Sequence, residues 1–200
     1  IPEGAALRLK GIAVAIADGI GSSAVGAIAA ESAVKSFLTD YYCTADSWSV
    51  KTSAHRVIAA TNSWLHAQTR RAGHATDRDR GYVTTLTVLV AKAAAAHIFH
   101  VGDCRVYRVS GESLEQLTVD HRVTVSEEQS YLGRALGAQA DVEVDYLSVP
   151  LHPGDVFVMA SDGVHEHVGA RTVCRTIAEA DGDLDTAAHR IADVAFERGS

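Results

Sequence analysis

The sequence predicts an α+β fold, a four-layer α-β-β-α sandwich in which two antiparallel sheets lie face to face with helices outside. Three observations predict it. Apolar residues recur at the helical period of about 3.6 near each end of the chain, and they alternate with a period of about two through its middle. The connections between the middle strands are too short for crossover helices, which makes those strands antiparallel.

Taken in order, Gly11 to Gly21 (GIAVAIADGIG) is an apolar run that stops at Asp18 and turns at Gly19, and it reads as a strand buried on both faces. Ser22 and Ser23 can cap a helix whose Val25, Ile28, Ala29, Ala33 and Phe37 follow helical spacing. Its small residues Gly26, Ala27 and Ala30 would let it lie close to a sheet. Asp46 to Lys51 breaks the pattern, and a second helix carries Val57, Ile58, Thr61, Trp64, Leu65 and Gln68 on one stripe. Gly73 to Gly81 is polar and reads as a loop.

From Tyr82 the period shortens, with Leu86, Val88 and Val90 on one face, then strands over Ile98 to Asp103 and Arg105 to Val109. Ser110-Gly111 marks a hairpin into Leu114 to Leu117. Asp120 to Ser130 reads as a short polar connection, Tyr131 to Gly137 follows, and Val142 to Val149 and Val156 to Ala160 are two further strands. Two helices close the chain, the last with Leu184, Ala187, Ala188, Ile191 and Ala195 at helical spacing.

Two hundred residues with 47% hydrophobic content suit one domain, able to bury roughly 70% of the surface its unfolded chain exposes. The net charge of -7 and pI of 5.8 argue against nucleic acid as a partner. Arg70-Arg71 and Arg78/Arg80, the latter alternating with Asp77 and Asp79, read as a solvated loop. Cys43, Cys104 and Cys174 have neither disulfide-framework nor zinc-ribbon spacing, which fits a reducing, cytoplasmic setting. No segment is long and apolar enough for direct membrane insertion. The first residue, Ile1, suggests an excerpt of a longer protein.

Three apolar strands end in an aspartate beside a glycine: Asp18-Gly19, Gly102-Asp103 and Asp162-Gly163. Singly, each is an ordinary turn. Together they could form an all-oxygen cluster, which hard cations such as Mg²⁺ or Mn²⁺ favour. Asp103 could equally bond Arg105 or main-chain amides and shape its turn. His165-Glu166-His167 sits at a helix start where positions i and i+2 point apart, so it reads as surface histidines rather than ligands. His97 and His100 read as structural, and Cys104 as inert beside Asp103.

The ordered set ADGIG (Ala17 to Gly21), TTL (Thr84 to Leu86), VGDCRVYR (Val101 to Arg108), LTVDH (Leu117 to His121), RALG (Arg134 to Gly137), GD (Gly154-Asp155) and SDGV (Ser161 to Val164) resembles the metal-dependent PPM family, the type 2C protein serine/threonine phosphatases. DYYCTADSWSVK (Asp40 to Lys51) and NSWLHAQTR (Asn62 to Arg70) are similar to the bacterial branch in which such a phosphatase domain is fused to a serine/threonine kinase. The resemblance implies two Mn²⁺ or Mg²⁺ ions bridged by Asp18, with the Gly19 carbonyl on one and Asp162 on the other. It places Asp103 at a third, looser ion and Ser130 near it, on the flap.

It further implies hydrolysis of phosphoserine or phosphothreonine by direct attack of a metal-bridging hydroxide, with phosphorylated proteins, a kinase of the same polypeptide among them, as partners. Against the family pattern, the N-terminal phosphate-binding arginine and acidic motif would precede Ile1, and the Asp-Asn pair would follow Ser200. Ile20 stands where several eukaryotic members carry a histidine, Ser22 and Cys104 replace a glycine and a serine, and the segment between His121 and Tyr131 implies a trimmed flap. These departures leave an alternative, a catalytically silent phosphatase-like module that regulates a fused or partner kinase by contact.

Overall fold

The computed structural model describes residues 3–21, 24–73, 81–126 and 129–200, apart from the side chains of 124–126 and 129–130. These residues fall into two compact units, 1–104 with 120–152 and 105–119 with 153–200.

The first unit opens with a short helix, α1 (Gly4–Lys10), over a stretch where the sequence reading assigned no element. A four-stranded antiparallel sheet follows the order β1 (Ile12–Ile16), β2 (Leu86–Lys92), β3 (Ala95–Val101) and β8 (Asp145–Pro150). Helices α2 (Ala24–Cys43) and α3 (Val50–Arg71) supply its apolar cover. Phe37, Tyr41, Ile58 and Leu65 join Leu86, Val88, Val90 and Phe99 in one core, with Ala13 and Ala15 of β1 packed against it.

β1 is not buried on both faces. It is an edge strand of this sheet, and Ile12 and Val14 remain 39% and 48% exposed while Ala13 and Ala15 pack against the core beneath the helices. The central strand β2 is the one buried throughout Leu86 to Val90. The stripe on α2 is also rotated from the expected one. Gly26, Ala29, Ala33, Phe37 and Tyr41 are buried and Ile28 is exposed, because a helix lying close to a sheet puts its smallest residues at the contact. On α3 Trp64 likewise points out, and Arg70 and Arg71 belong to its last turn rather than to a loop, where cations suit the helix dipole. The Ser22-Ser23 cap and the Arg78/Arg80 segment lie outside the described residues.

Where a polar connection was expected, β6 (Arg122–Ser126) and β7 (Gln129–Leu132) pair as antiparallel strands. Val123 and Tyr131 lie opposite each other across the two strands and are 55% and 59% exposed, so the pairing does not depend on burying those two side chains.

The second unit holds a three-stranded antiparallel sheet in the order β5 (Ser113–Gln116), β4 (Arg105–Ser110) and β9 (Phe157–Ala160), with α4 (Asp162–His165), α5 (Ala170–Glu179) and α6 (Leu184–Glu197). The β4–β5 hairpin turns at Gly111 as expected. β8 begins at Asp145 rather than Val142, and β8 and β9 belong to different sheets, paired with β3 and β4. Val168, Val173, Ile191 and Ala195 form this unit's core. A cavity of about 210 Å³ beside it is lined by apolar residues such as Val158, Met159, Ile177 and Ile191. It offers no charged donor and is not the candidate site.

Candidate metal centre

In the first unit the tip of β1 is held by the two threonines that lead into β2. The Asp18 N–H donates to Thr85 Oγ1 at 2.8 Å, and the Thr85 N–H donates to the Asp18 carbonyl at 2.9 Å. Thr84 Oγ1 donates to the same carbonyl, also at 2.9 Å. Both threonines are buried. Buried main-chain groups need partners where a strand ladder ends, and the hydroxyls supply them. The Asp18 carboxylate is therefore carried on a backbone that cannot shift independently of Thr84 and Thr85.

Gly19 is required by close approach: a Cβ there would lie 2.2 Å from the carbonyl carbon and oxygen of Gly26 on α2. Real side chains do not tolerate that contact, so the tip and the first turn of α2 are mutually restricted to glycine.

β3 delivers the second acid. Gly102 has φ +119°, in the region that favours glycine, and a Cβ there would meet Thr85 Cβ and Cγ2 at 2.5 Å. Asp103 is buried, and its Oδ2 accepts from Arg122 Nε at 2.8 Å. Arg105 Nη1 donates to the Tyr107 hydroxyl at 3.2 Å. The Asp103 carboxylate thus sits where a positive charge is accommodated, and a loosely held cation there would compete with Arg122.

Residues from two other motifs support the same turn. The His121 N–H donates to the Gly102 carbonyl at 2.8 Å, and the Gly102 N–H donates to His121 Nδ1 at 3.0 Å. His121 Nε2 faces Asp145 Oδ2 at 3.0 Å, and Arg134 donates to Asp145 Oδ1 at 2.6 Å. Partial burial works to raise the Asp145 carboxyl's pKa, but the hydrogen bonds and charges of His121 and Arg134 outweigh it and hold the group below the usual carboxylate range. Leu136 of the RALG stretch exchanges main-chain hydrogen bonds with Thr84, and the Gly137 N–H donates to Asn62 Oδ1 at 2.8 Å.

The third acid lies in the second unit. β9 ends at Ala160, Ser161 precedes α4, and Asp162 occupies the first position of that helix, with Oδ1 accepting from the Gly163 N–H at 2.8 Å. An acid at a helix start is favourably placed against unpaired amides. Ser130 lies in β7 opposite Thr124; its side chain is outside the described residues.

His100 is buried with Nδ1 2.8 Å from Thr87 Oγ1, and His97 Nδ1 is 2.9 Å from the Tyr146 hydroxyl. Burial, then the charge of Lys92, holds the His97 imidazole below its usual pKa. Cys104 is fully buried 3.2 Å from Thr85 Oγ1.

Among the described residues, no three His, Cys, Asp or Glu side chains gather as a metal cage. The donors at the tips are carboxylates together with the Gly19 carbonyl. That all-oxygen chemistry fits Mg²⁺ or Mn²⁺ and does not suit softer ions that prefer nitrogen and sulfur.

The chain is 29% identical over 173 residues to the serine/threonine phosphatase stp of Listeria welshimeri, a match covering 76% of this chain and 66% of that protein. It therefore spans just under two thirds of that relative's length. The crystal structure of the Mycobacterium tuberculosis serine/threonine phosphatase PstP superposes with a TM-score of 0.78 at 23% identity, covering 94% of this chain and 83% of that one. A second crystal structure, of the PstP catalytic domain in complex with two manganese ions, gives the same TM-score and identity, with 94% and 82% covered. These superpositions show a shared α+β fold. Residues 5–179 match the family model of protein phosphatase 2C, and the chain belongs to that family.

Proposed function

We propose that residues 1–200 act as one metal-dependent catalytic domain of a protein serine/threonine phosphatase. It hydrolyses phosphoserine and phosphothreonine by direct attack of water on phosphorus, with no phosphoenzyme. The observation that carries the reading is the Asp18–Gly19 tip, an acid whose main chain is tied at three points to Thr84 and Thr85. Fixing a ligand's backbone in advance removes the cost of ordering it when a cation arrives.

Asp18, the Gly19 carbonyl and Asp162 are the proposed ligands of two Mn²⁺ or Mg²⁺ ions. When bound, such ions neutralise phosphate charge and make a water acidic enough to serve as nucleophile near neutral pH. Asp103 and, more weakly, Ser130 are the groups for a third ion. The chain itself orients: Thr84 and Thr85 hold Asp18, Gly26 leaves room for Gly19, and Ser161 leads Asp162 into α4. The manganese-bound PstP domain supports the choice of ion. Phosphorylated proteins are the proposed substrates, a serine/threonine kinase of the same polypeptide among them.

Purified protein with Mn²⁺ should release phosphate from a small aryl phosphate. Asp18→Asn or Asp162→Asn should each lower kcat/KM more than the roughly 10–100-fold that a change outside the ligand set costs. Turnover that persists in EDTA, or survives both substitutions, overturns the assignment. A second reading, a silent module that regulates a kinase by contact, draws on Arg122 already neutralising Asp103. Calorimetric titration separates the two: two Mn²⁺ sites support the enzyme, and none supports the regulator.

A further inference from the structure

We propose that His121 is a positioning residue for the Asp18 tip: with its proton on Nε2, it clamps the Gly102–Asp103 turn against Thr85 and so fixes the backbone that carries Asp18. This rests on the reading of Asp18 as a metal ligand.

Gly102 is gripped through both of its main-chain polar groups by one residue. Its carbonyl accepts the His121 N–H at 2.8 Å and its N–H donates to His121 Nδ1 at 3.0 Å. An N–H can be received only by a nitrogen with a lone pair, so Nδ1 carries no proton and the ring proton is on Nε2. There it meets Asp145 Oδ2 at 3.0 Å, while Arg134 occupies the other oxygen of Asp145 at 2.6 Å. A carboxylate fixed by an arginine accepts a proton-bearing nitrogen and rejects a bare one, so Arg134 and Asp145 select the tautomer that Gly102 requires.

The ring has no room to rotate away. The His121 side chain is 7% exposed and lies against the His100 ring, with centroids 4.7 Å apart, and His100 is itself tied to Thr87. On its other side Gly102 backs directly onto Thr85, where even a methyl group would lie 2.5 Å from the Thr85 side chain. Thr85 in turn accepts the Asp18 N–H through Oγ1 and donates its own N–H to the Asp18 carbonyl. The line Arg134–Asp145–His121–Gly102–Thr85–Asp18 runs entirely within the first unit. It gives the LTVDH and RALG stretches a role at the metal tip although neither supplies a proposed ligand.

Two near-isosteric variants separate the two ends of the imidazole. His121→Asn keeps an acceptor at the position of Nδ1 and loses the group facing Asp145. His121→Gln keeps a donor near the position of Nε2 and loses the acceptor for Gly102. In metal-free wild-type protein, ¹⁵N imidazole shifts should report a bare Nδ1 and a protonated Nε2, and the Gly102 amide should be protected from hydrogen exchange.

His121→Gln should lose that protection and weaken Mn²⁺ binding by about 10–100-fold, while His121→Asn stays within about threefold of wild type. A proton found on Nδ1, or equal loss in both variants, overturns the positioning role, and the tautomer measurement decides even where a variant fails to fold. Wild-type protein that binds no Mn²⁺ would instead remove the phosphatase reading on which the role depends, a result distinct from wild-type binding that is indifferent to which variant is made.

Discussion

At Thr85 one buried hydroxyl accepts the Asp18 N–H and touches Cys104, so Thr85→Val, nearly the same shape, would leave a main-chain donor unsatisfied. The expected cost is about 1–3 kcal/mol by urea unfolding, together with weaker Mn²⁺ binding. Unchanged values in both measurements would refute the clamp.

Gly102→Ala would add a Cβ 2.5 Å from the Thr85 side chain at a φ that alanine disfavours. It should destabilise the fold by about 2–4 kcal/mol, which the unfolding midpoint would report. At Asp145 the folded carboxyl titrates below its ordinary value. Its stabilising contribution is therefore complete above about pH 4, the unfolded value, and is lost as pH falls through the lowered folded value. The stability difference between wild type and Asp145→Asn should shrink on acidification, and a difference that grows would contradict the sign. The threonine pair and both glycines are visible in the sequence, but nothing local says that Thr85 faces Asp18, which lies 67 positions earlier.

Helix α2 illustrates what an element owes to its neighbours. Its length and type follow from periodicity, yet its buried line runs through Gly26, Ala29, Ala33, Phe37 and Tyr41, because the sheet admits only small side chains near Gly19 and has space for rings further along. The C-terminal end of α2 is closed by Lys10, almost fully buried, whose Nζ donates to Thr44 Oγ1 and to the Ala45 carbonyl, both at 2.8 Å. A cation there complements the helix dipole.

The buried Tyr41 hydroxyl donates to the Lys10 carbonyl at 2.9 Å, and burial, then Tyr42, pushes its pKa well up. Tyr41→Phe should cost about 1–2 kcal/mol by leaving that carbonyl without this donor, while retaining the stacking on Phe37. An unfolding curve superimposable on that of wild type would count against it. For β1, an apolar run reads identically whether the strand is central or at an edge, since side-chain pattern does not encode which flank lacks a partner.

For the molecule as a whole, ligands that bind only the folded chain raise its stability by mass action, about 2.7 kcal/mol at one hundred times Kd. For a 200-residue chain this corresponds to a rise in Tm of roughly 5–10 °C with saturating Mn²⁺, reversed by EDTA. A melting temperature indifferent to both would argue against metal-holding tips. Among the described residues no helix is long and apolar enough to cross a membrane.

By itself the sequence determined the α+β class, the order of helices and strands in the main, and the three aspartate–glycine tips. These depend on periodicity and on residue types a few positions apart, which local sterics and burial enforce. Only the tertiary structure decided that β1 is an edge strand, which face of α2 is buried, that Arg122–Ser126 and Gln129–Leu132 pair as antiparallel strands, that Asp103 meets Arg122, and that His121 grips Gly102. Those outcomes join residues distant in the chain or depend on neighbouring elements. They are settled by which packed partners satisfy buried polar groups and fill the space beside each glycine, and no local pattern records that competition.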